Sequence, residues 1–184
     1  MVKLDKIYTK GGDSGYTSIV GGKRVRKSSN IIEAISNVDE LNATLGLITN
    51  YSKSNQKRII QNIQNDLFDM GADLATPFSK KKDTIRLSNS QTAYLEKAID
   101  NINAKLKPLT SFILPGGDKI SSLYHLARTI CRRAERISVT LMKRTKIDEN
   151  ILPYLNRLSD LFFVFSRWFS HKMNRTENLW DPKL

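Results

Sequence analysis

Several features are scarce in this sequence, and each scarcity excludes a class of protein. The chain has one cysteine, Cys131, and two histidines, His125 and His171, so neither a disulfide framework nor a His/Cys zinc site is indicated. No run of about 18 apolar residues occurs, which argues against a membrane-spanning helix. The first residues carry neither an apolar signal core nor transit-peptide character. We therefore expect a cytoplasmic protein that does not associate with membranes.

Familiar catalytic motifs are absent as well. Neither the Walker A pattern G-x-x-x-x-G-K-[ST] nor the Gly-x-Ser-x-Gly nucleophile elbow occurs. Cys131 lies beside Ile130 in an apolar run, which favours a buried small side chain over a nucleophile. Because no protein nucleophile is evident, any chemistry is expected to be carried out by the bound ligands themselves.

Positive charge is what the sequence has in excess. The 184 residues include 30 Lys and Arg against 18 Asp and Glu, giving a net charge of +12, while 40% of the residues are hydrophobic. The length fits one domain of about 100–200 residues, and the apolar fraction fits a folded core. The basic excess leaves open a nucleic-acid-binding module, whose affinity falls steeply with salt. No helix-turn-helix or zinc-finger signature supports that alternative, and we expect no nucleic-acid partner.

Apolar residues recur at spacings of three and four along most of the chain, which predicts five amphipathic helices. Strand-like alternation is nearly absent, so the predicted fold class is all-α: a five-helix bundle with a glycine-rich N-terminal loop. We expect a single domain over 1–184, with a loop at 1–29, the bundle at 30–174 and a tail at 175–184. The predicted helix boundaries rest on caps and prolines: Ser28, Ser29 or Asn30; Ser54 and Pro77; Ser88, Gln91 and Pro108; Asp118; and Pro153.

The glycine-rich stretch 9–18 has the composition of a phosphate-binding loop. Glycines let backbone N–H groups approach an anion closely, and threonine and lysine side chains add donors and charge. A flexible glycine-rich turn explains the same residues equally well. The exposed loop expected at 77–87, which contains Lys80–Lys82, has no role that the sequence indicates.

Arginines are concentrated on the predicted fourth helix. Arg128, Arg132 and Arg136 are spaced by four and share one stripe, with Arg133 and Glu135 beside them. Such a cluster is stabilised by an anion with several oxygens, because guanidinium groups match phosphate geometry. A solvated basic face is the alternative.

Carboxylates and amides also interrupt the apolar pattern of two other helices. Asp39-Glu40 lies within the first helix, where a carboxylate needs a partner, and an arginine of the fourth helix is the obvious candidate. The stretch 156–160 places polar groups at the start of the fifth helix, where capping and surface salt bridges are the simpler explanation.

Together and in order, these motifs closely resemble the PduO-type ATP:cob(I)alamin adenosyltransferases (corrinoid adenosyltransferases). The resemblance implies a five-helix bundle that assembles as a homotrimer with active sites between subunits. It also implies transfer of the 5′-deoxyadenosyl group of ATP to cob(I)alamin with release of triphosphate. The motifs are Thr9-Lys10-x-Gly12-Asp13-x-Gly15-x-Thr17; Glu33-Ala34 with Val38-Asp39-Glu40-Leu41-Asn42; Phe112-Ile113-Leu114-Pro115-Gly116-Gly117; Ala127-Arg128-Thr129 with Arg132-Arg133-Ala134-Glu135-Arg136; and Tyr154-Leu155-Asn156-Arg157-Leu158-Ser159-Asp160.

The resemblance further implies the roles of individual residues. Phe112 binds cobalamin and displaces the lower axial ligand of cob(II)alamin, and Arg128 pairs with Asp39 across the subunit interface; with Arg132 these form the implied catalytic set. ATP is a co-substrate, cobalamin the substrate, and Mg²⁺ is bound through ATP rather than by protein side chains. A reductase partner is also implied. The residues expected to bind ATP are Thr9, Lys10, Gly11, Gly12, Asp13, Thr17, Ser18, Lys27, Arg132, Arg133, Glu135, Arg136 and Asn156.

Two residues depart from the usual family pattern. Ser36 stands where many members have glycine, and Asp118 where serine or threonine is common; a small residue and an N-cap suit the two positions. A non-catalytic ATP-binding regulator is a further alternative, but such a protein has no need of the Phe112 loop.

Overall fold

The structure, a computed structural model, describes residues 7–78 and 85–183. In these ranges the chain forms the five predicted helices: α1 (Asn30–Thr49), α2 (Ser54–Ala75), α3 (Asn89–Asn103), α4 (Lys119–Met142) and α5 (Ile151–Lys172). Helix α4 packs against α1 and α5, α2 packs against α1, and α3 packs against α5. Within the described ranges no helix combines the length and apolarity needed to cross a membrane. The Lys80–Lys82 run lies outside the described residues.

Local sequence chemistry accounts for where two of the helices, α3 and α4, begin. The Ser88–Gln91 capping box is present at α3, and the Ser88 amide donates to Gln91 Oε1 at 2.7 Å. The Asp118 carboxylate caps α4 by accepting from the amides of Ile120 (2.9 Å) and Ser121 (3.1 Å). Both predicted caps are therefore confirmed. Ser29 takes the N-cap position of α1 in an extended conformation, but its side chain makes no capping hydrogen bond.

The apolar faces of the helices meet in one core. Leu41, Leu155 and Phe162 are fully buried, as expected from their helical spacing. Cys131 is also buried, and its Sγ donates to the Leu155 carbonyl at 3.2 Å. Because burial raises the pKa of the Cys131 thiol, it stays protonated. The prediction that this cysteine is a packed side chain rather than a nucleophile is confirmed.

A short hairpin precedes the bundle and adds a small two-stranded sheet to the predicted helical architecture, which is otherwise confirmed. Strands β1 (Tyr16–Ser18) and β2 (Arg24–Arg26) pair antiparallel, with Thr17 opposite Val25. Gly21 and Gly22 have φ values of 85° and 79°, so glycine supplies the turn that reverses the chain. Strands of three residues are too short to show a periodicity of two, which is why the sequence pattern missed them.

Candidate functional site

The hairpin holds the glycine-rich stretch in a defined loop. The Lys27 amide, directly after β2, donates to the Gly15 carbonyl at 2.9 Å, and the Gly15 amide donates to the Gly12 carbonyl at 3.1 Å. The Lys27 ammonium lies over Gly12, since a Cβ added to this glycine would be 3.0 Å from Nζ. Glycine at position 12 thus leaves room for the lysine. The structure brings together Lys27 and the glycine loop, which the sequence only grouped by resemblance.

Arg24, the first residue of β2, contacts the glycine loop, and no motif in the sequence predicted this. Its Nη2 donates to the Gly11 carbonyl at 2.6 Å and to the Tyr16 carbonyl at 3.4 Å, which ties the glycine loop to β1. The only sequence signal was its alternation with Arg26, which is too short to interpret. The hairpin is in turn attached to the bundle, because the Val20 amide donates to the Ala75 carbonyl of α2 at 3.0 Å.

The α4 arginines lie in two different environments. Arg132 and Arg136 are exposed, and Arg136 Nη1 donates to the Arg132 carbonyl at 3.3 Å. Arg133 forms an ion pair with Glu40 of α1, which confirms that a carboxylate of the Asp39-Glu40 pair is met by an arginine of the fourth helix. The sequence analysis assigned no role to Glu40, although the acidic pair itself was the signal.

Glu135 and Asn156 connect α4 to α5. Asn156 Nδ2 donates to Glu135 Oε1 at 3.0 Å, so these two predicted ATP-contacting residues are adjacent. Glu135 lies on the same α4 segment as the exposed arginines, and Asn156 faces that segment from α5. The structure therefore places a polar, cationic surface where the sequence predicted one.

Arg128 and Asp39 are not joined by a hydrogen bond or ion pair in the described chain. Arg128 is half-buried, its Nε has no hydrogen-bond partner, and burial together with nearby Arg132 lowers its pKa. Asp39 is exposed and lines a 310 Å³ groove beside Phe68, a side chain 70% exposed. Each residue thus lacks within one chain the partner that the resemblance implies.

Phe112 projects from the loop between α3 and α4. Its side chain is 77% exposed and contacts the Trp180 ring, with 6.1 Å between ring centroids. Nearby, the buried His125 meets Phe163 edge-on at 6.4 Å. Burial, reinforced by Arg128, lowers the His125 pKa, which keeps this imidazole neutral near pH 7. Exposed apolar side chains at Phe112, Leu114 and Trp180 make this region an apolar surface.

The loop, the arginines and Phe112 are three groups on different elements of the chain. No hydrogen bond or ion pair links them within the described residues. Arg132 follows Lys119 by 13 positions in α4, and at 1.5 Å per residue this places it about 20 Å from the Phe112 end of the helix. The described residues contain no cluster of three or more His, Cys, Asp or Glu suited to a metal ion.

Comparison with known proteins identifies a matching family and related proteins. Residues 7–169 match the cobalamin adenosyltransferase family model. A corrinoid adenosyltransferase from Bacillus subtilis (strain 168) is 46% identical over 168 residues, covering 88% of this chain and 85% of the relative.

Two solved structures of a PduO-type ATP:corrinoid adenosyltransferase from Lactobacillus reuteri are also similar. The F112A variant complexed with cobalamin and ATP has a TM-score of 0.90 and 37% identity, with 95% of this chain and 99% of that chain covered. The R132K variant complexed with ATP has a TM-score of 0.87 and 37% identity, with 95% and 100% covered. Both the sequence and the fold of this chain thus identify it as a member of the cobalamin adenosyltransferase family.

Proposed function

We propose that this chain transfers the 5′-deoxyadenosyl group of ATP to cob(I)alamin, releasing triphosphate, at a site completed between the subunits of a homotrimer. The observation that carries this proposal is the near full-length match in sequence and fold to enzymes of this activity. The three separate groups of predicted site residues are consistent with a site that one chain does not complete alone.

The glycine loop is suited to hold the triphosphate of ATP. Its exposed residues present backbone N–H groups, and Lys10 and Lys27 add positive charge. The Lys27 ammonium is exposed and lies over Gly12, so its charge is available at the loop. The remaining predicted members are Thr9, Gly11, Asp13, Thr17 and Ser18.

The α4 surface supplies the rest of the ATP contacts. Arg132 and Arg136 are exposed, while Glu40 orients Arg133 and Asn156 holds Glu135. These groups orient ATP and stabilise the charge that develops on the departing triphosphate. Phe112 and Arg132 have the residue types and numbers that were substituted in the Lactobacillus reuteri structures, which supports their choice.

The reaction needs no protein nucleophile. The electron pair of Co(I) forms the bond to the ribose 5′ carbon, and the electrons of the broken C5′–O bond leave with triphosphate. Well-oriented reactants gain about 7–11 kcal/mol from positioning alone. The protein thus has to bind and orient the two substrates and exclude water from them.

Mg²⁺ is expected to be held by the triphosphate and water. Mg²⁺ in phosphate sites keeps several waters and is bound by few carboxylates. When bound, the ion offsets the negative charge of the triphosphate.

Arg128 and Asp39 are proposed to pair across the subunit interface. An arginine Nε that is buried without a partner is costly, and a neighbouring carboxylate would satisfy it. The groove beside Asp39 and the exposed Phe68 provide apolar surface for a second copy of the chain. These features support the homotrimer.

Phe112 is proposed to lie against cobalamin and displace its lower axial ligand. The resulting four-coordinate cobalt is easier to reduce to Co(I), and the aromatic ring excludes water from it. Exposure of 77% of the Phe112 side chain supports this role, since a purely structural phenylalanine is normally buried. A nucleotide sensor without chemistry leaves this exposure unexplained.

The location of the enzyme and the source of its electron complete the proposal. We propose that the whole chain acts as one domain in the cytoplasm, where a reductase partner supplies the electron for cob(II)alamin. The basic excess serves ATP through the α4 arginines, Lys10 and Lys27, rather than nucleic acid.

Arg132→Ala tests the assignment. We expect adenosylcobalamin formation from ATP and reduced cobalamin, followed by its visible spectrum, to fall at least a hundredfold, because removing one oriented donor costs about that much in rate. Arg58→Ala, which removes an exposed α2 arginine, is the matched control and should retain the wild-type rate. Near-normal turnover by the Arg132 variant would contradict its role, provided that both variants keep the helical circular dichroism of the wild type.

A further inference from the structure

The segment after α5 returns to the Phe112 loop and pairs with it. The Leu114 amide donates to the Asn178 carbonyl at 2.8 Å, and the Trp180 amide donates to the Phe112 carbonyl at 2.7 Å. Ile113 and Leu179 form the antiparallel bridge between them. We call residues 175–183 the strap. Within the strap, the ring of Trp180 contacts the ring of Phe112.

This pairing is too short to hold itself. Two strands joined over about three residues are marginal in water, and an exposed aromatic on an irregular loop has few packing contacts to restrict it. Phe112 is 77% exposed and Trp180 is 48% exposed, so their mutual contact buries little surface. The Ser111 hydroxyl adds one exposed hydrogen bond to the Trp180 carbonyl at 3.0 Å, so a buried interaction is the stronger candidate for the anchor of the strap.

Arg167 of α5 is that anchor. The side chain is only 6% exposed, and its Nε donates to Glu177 Oε1 at 2.8 Å. The same guanidinium donates from Nη2 to the Lys107 carbonyl at 2.8 Å. Glu177 precedes Trp180 by three residues, and Lys107 precedes Phe112 by five. The buried Arg167 guanidinium therefore holds both the strap and the Phe112 loop close to where their aromatic rings meet.

The geometry requires an arginine. A guanidinium has fixed donors that can reach a carboxylate and a backbone carbonyl together, whereas a lysine ammonium is a single point charge on a flexible stem. Because the guanidinium is largely buried, it is screened from water and its hydrogen bonds to the carboxylate are strong. The surface pair of Arg157 with Glu96, whose side chains are 34% and 50% exposed, lacks this shielding.

We propose that Arg167, acting through Glu177 and the strap, is a positioning residue that fixes the Phe112 ring where it meets cobalamin. The inference rests on the proposed role of Phe112 at the cobalt. Arg167 and Glu177 touch neither substrate in this scheme; they restrict the loop that carries the ring.

Glu177→Ala in the full-length protein is the test, with Glu96→Ala as the matched control. Hydrogen exchange read by mass spectrometry reports on peptides covering 108–114 and 176–183. We expect exchange there to quicken about tenfold in the Glu177 variant, the scale of losing one hydrogen bond to a charged group. In parallel, cob(II)alamin is added with saturating ATP, and the four-coordinate fraction is measured by visible and electron paramagnetic resonance spectra. That fraction should fall several-fold, with the KM for ATP unchanged.

The outcomes separate the steps of the proposal. Unchanged exchange in the Glu177 variant overturns the anchor, and faster exchange with a wild-type four-coordinate fraction overturns the positioning role. An equally large fall of the four-coordinate fraction in the Glu96→Ala control also overturns the positioning role. Glu177→Gln, which keeps an oxygen facing Arg167, should restore part of both signals.

Two variants cover the remaining possibilities. If the Glu177→Ala variant loses its thermal unfolding transition, Glu177→Gln takes its place, since it removes the charge of the anchor but keeps an oxygen facing Arg167; wild-type exchange or a wild-type four-coordinate fraction there overturns the inference. Phe112→Ala tests the proposed function separately. A normal four-coordinate fraction in that variant refutes the role of Phe112 at cobalt, whatever the strap variants show.

Discussion

Gly117 shows how one residue can decide the path of the chain into α4. It has a φ of 98°, which side-chain-bearing residues rarely adopt, and a Cβ at this position would lie 3.0 Å from Ser170 Oγ. Ser170 Oγ in turn donates to Ser121 Oγ at 3.0 Å in a buried contact between α5 and α4. Glycine is therefore required both by backbone conformation and by space.

Gly117→Ala is expected to destabilise the fold by about 2–3 kcal/mol, the sum of a strained backbone and a tight contact. Gly22→Ala is the matched control, because its φ of 79° carries similar strain while no atom lies within 4 Å of the added Cβ. That variant should lose only about 1 kcal/mol. The free energy of unfolding in urea gives both values, and equal losses would show that the contact with Ser170 has no cost.

A buried ion pair attaches the segment before α3 to α2. Asp73 of α2 has a side chain 1% exposed, and its partner Arg86 is 17% exposed. Burial raises the pKa of Asp73, while Arg86 opposes that shift. The Arg86 guanidinium also lies 5.3 Å from the centre of the Phe78 ring. The pair therefore fixes the entry to α3 against the end of α2.

Arg86→Met leaves the Asp73 carboxylate buried and unpaired, so we expect a loss of about 3–5 kcal/mol near pH 7. Arg157→Met, which breaks an exposed pair, should cost less than about 1 kcal/mol. Without Arg86 the pKa of Asp73 rises further above its unfolded value, and folding then favours the protonated acid. The deficit should therefore shrink as the pH is lowered, which denaturant unfolding at several pH values can measure. A constant deficit would mean that Asp73 is not the cause.

At the scale of the whole molecule, the proposed site residues come from three different parts of the chain. The glycine loop lies before α1, the arginines lie in the middle of α4, and Phe112 lies before the start of that helix. Arg128 has a buried donor without a partner, and Asp39 lines an open groove. Assembly of several copies, as proposed, provides both the missing partner and the completed site.

Charge reversal tests this assembly. Asp39→Arg places like charges at the proposed interface, so we expect trimer and adenosylation rate to fall at least tenfold. Adding Arg128→Asp restores opposite charges and should recover a substantial part of both. Sedimentation and turnover measure the two effects. A double variant no better than either single variant would show that the residues do not pair.

Much of this architecture was predictable because its causes are local. The Ser88–Gln91 box and the Asp118 cap each act within three residues, and the helical spacing of Leu41 and Leu155 marked the core. The hairpin was not predictable, since its strands have three residues each and depend on the attachment of Val20 to α2. Arg24 was missed for the same reason, because its contacts with the loop exist only after the hairpin forms.

The sequence by itself determined the helices, the chemistry of the glycine loop and the family, because periodicity, caps and motif order are written along the chain. Only the tertiary structure decided which carboxylate Arg133 meets, which donor of Arg128 is left open and how the strap reaches Phe112. Those choices join residues that are distant in sequence, and they depend on how helices and loops pack rather than on any local preference. The basic excess likewise became interpretable only when packing separated the exposed arginines of α4 from the buried Arg167.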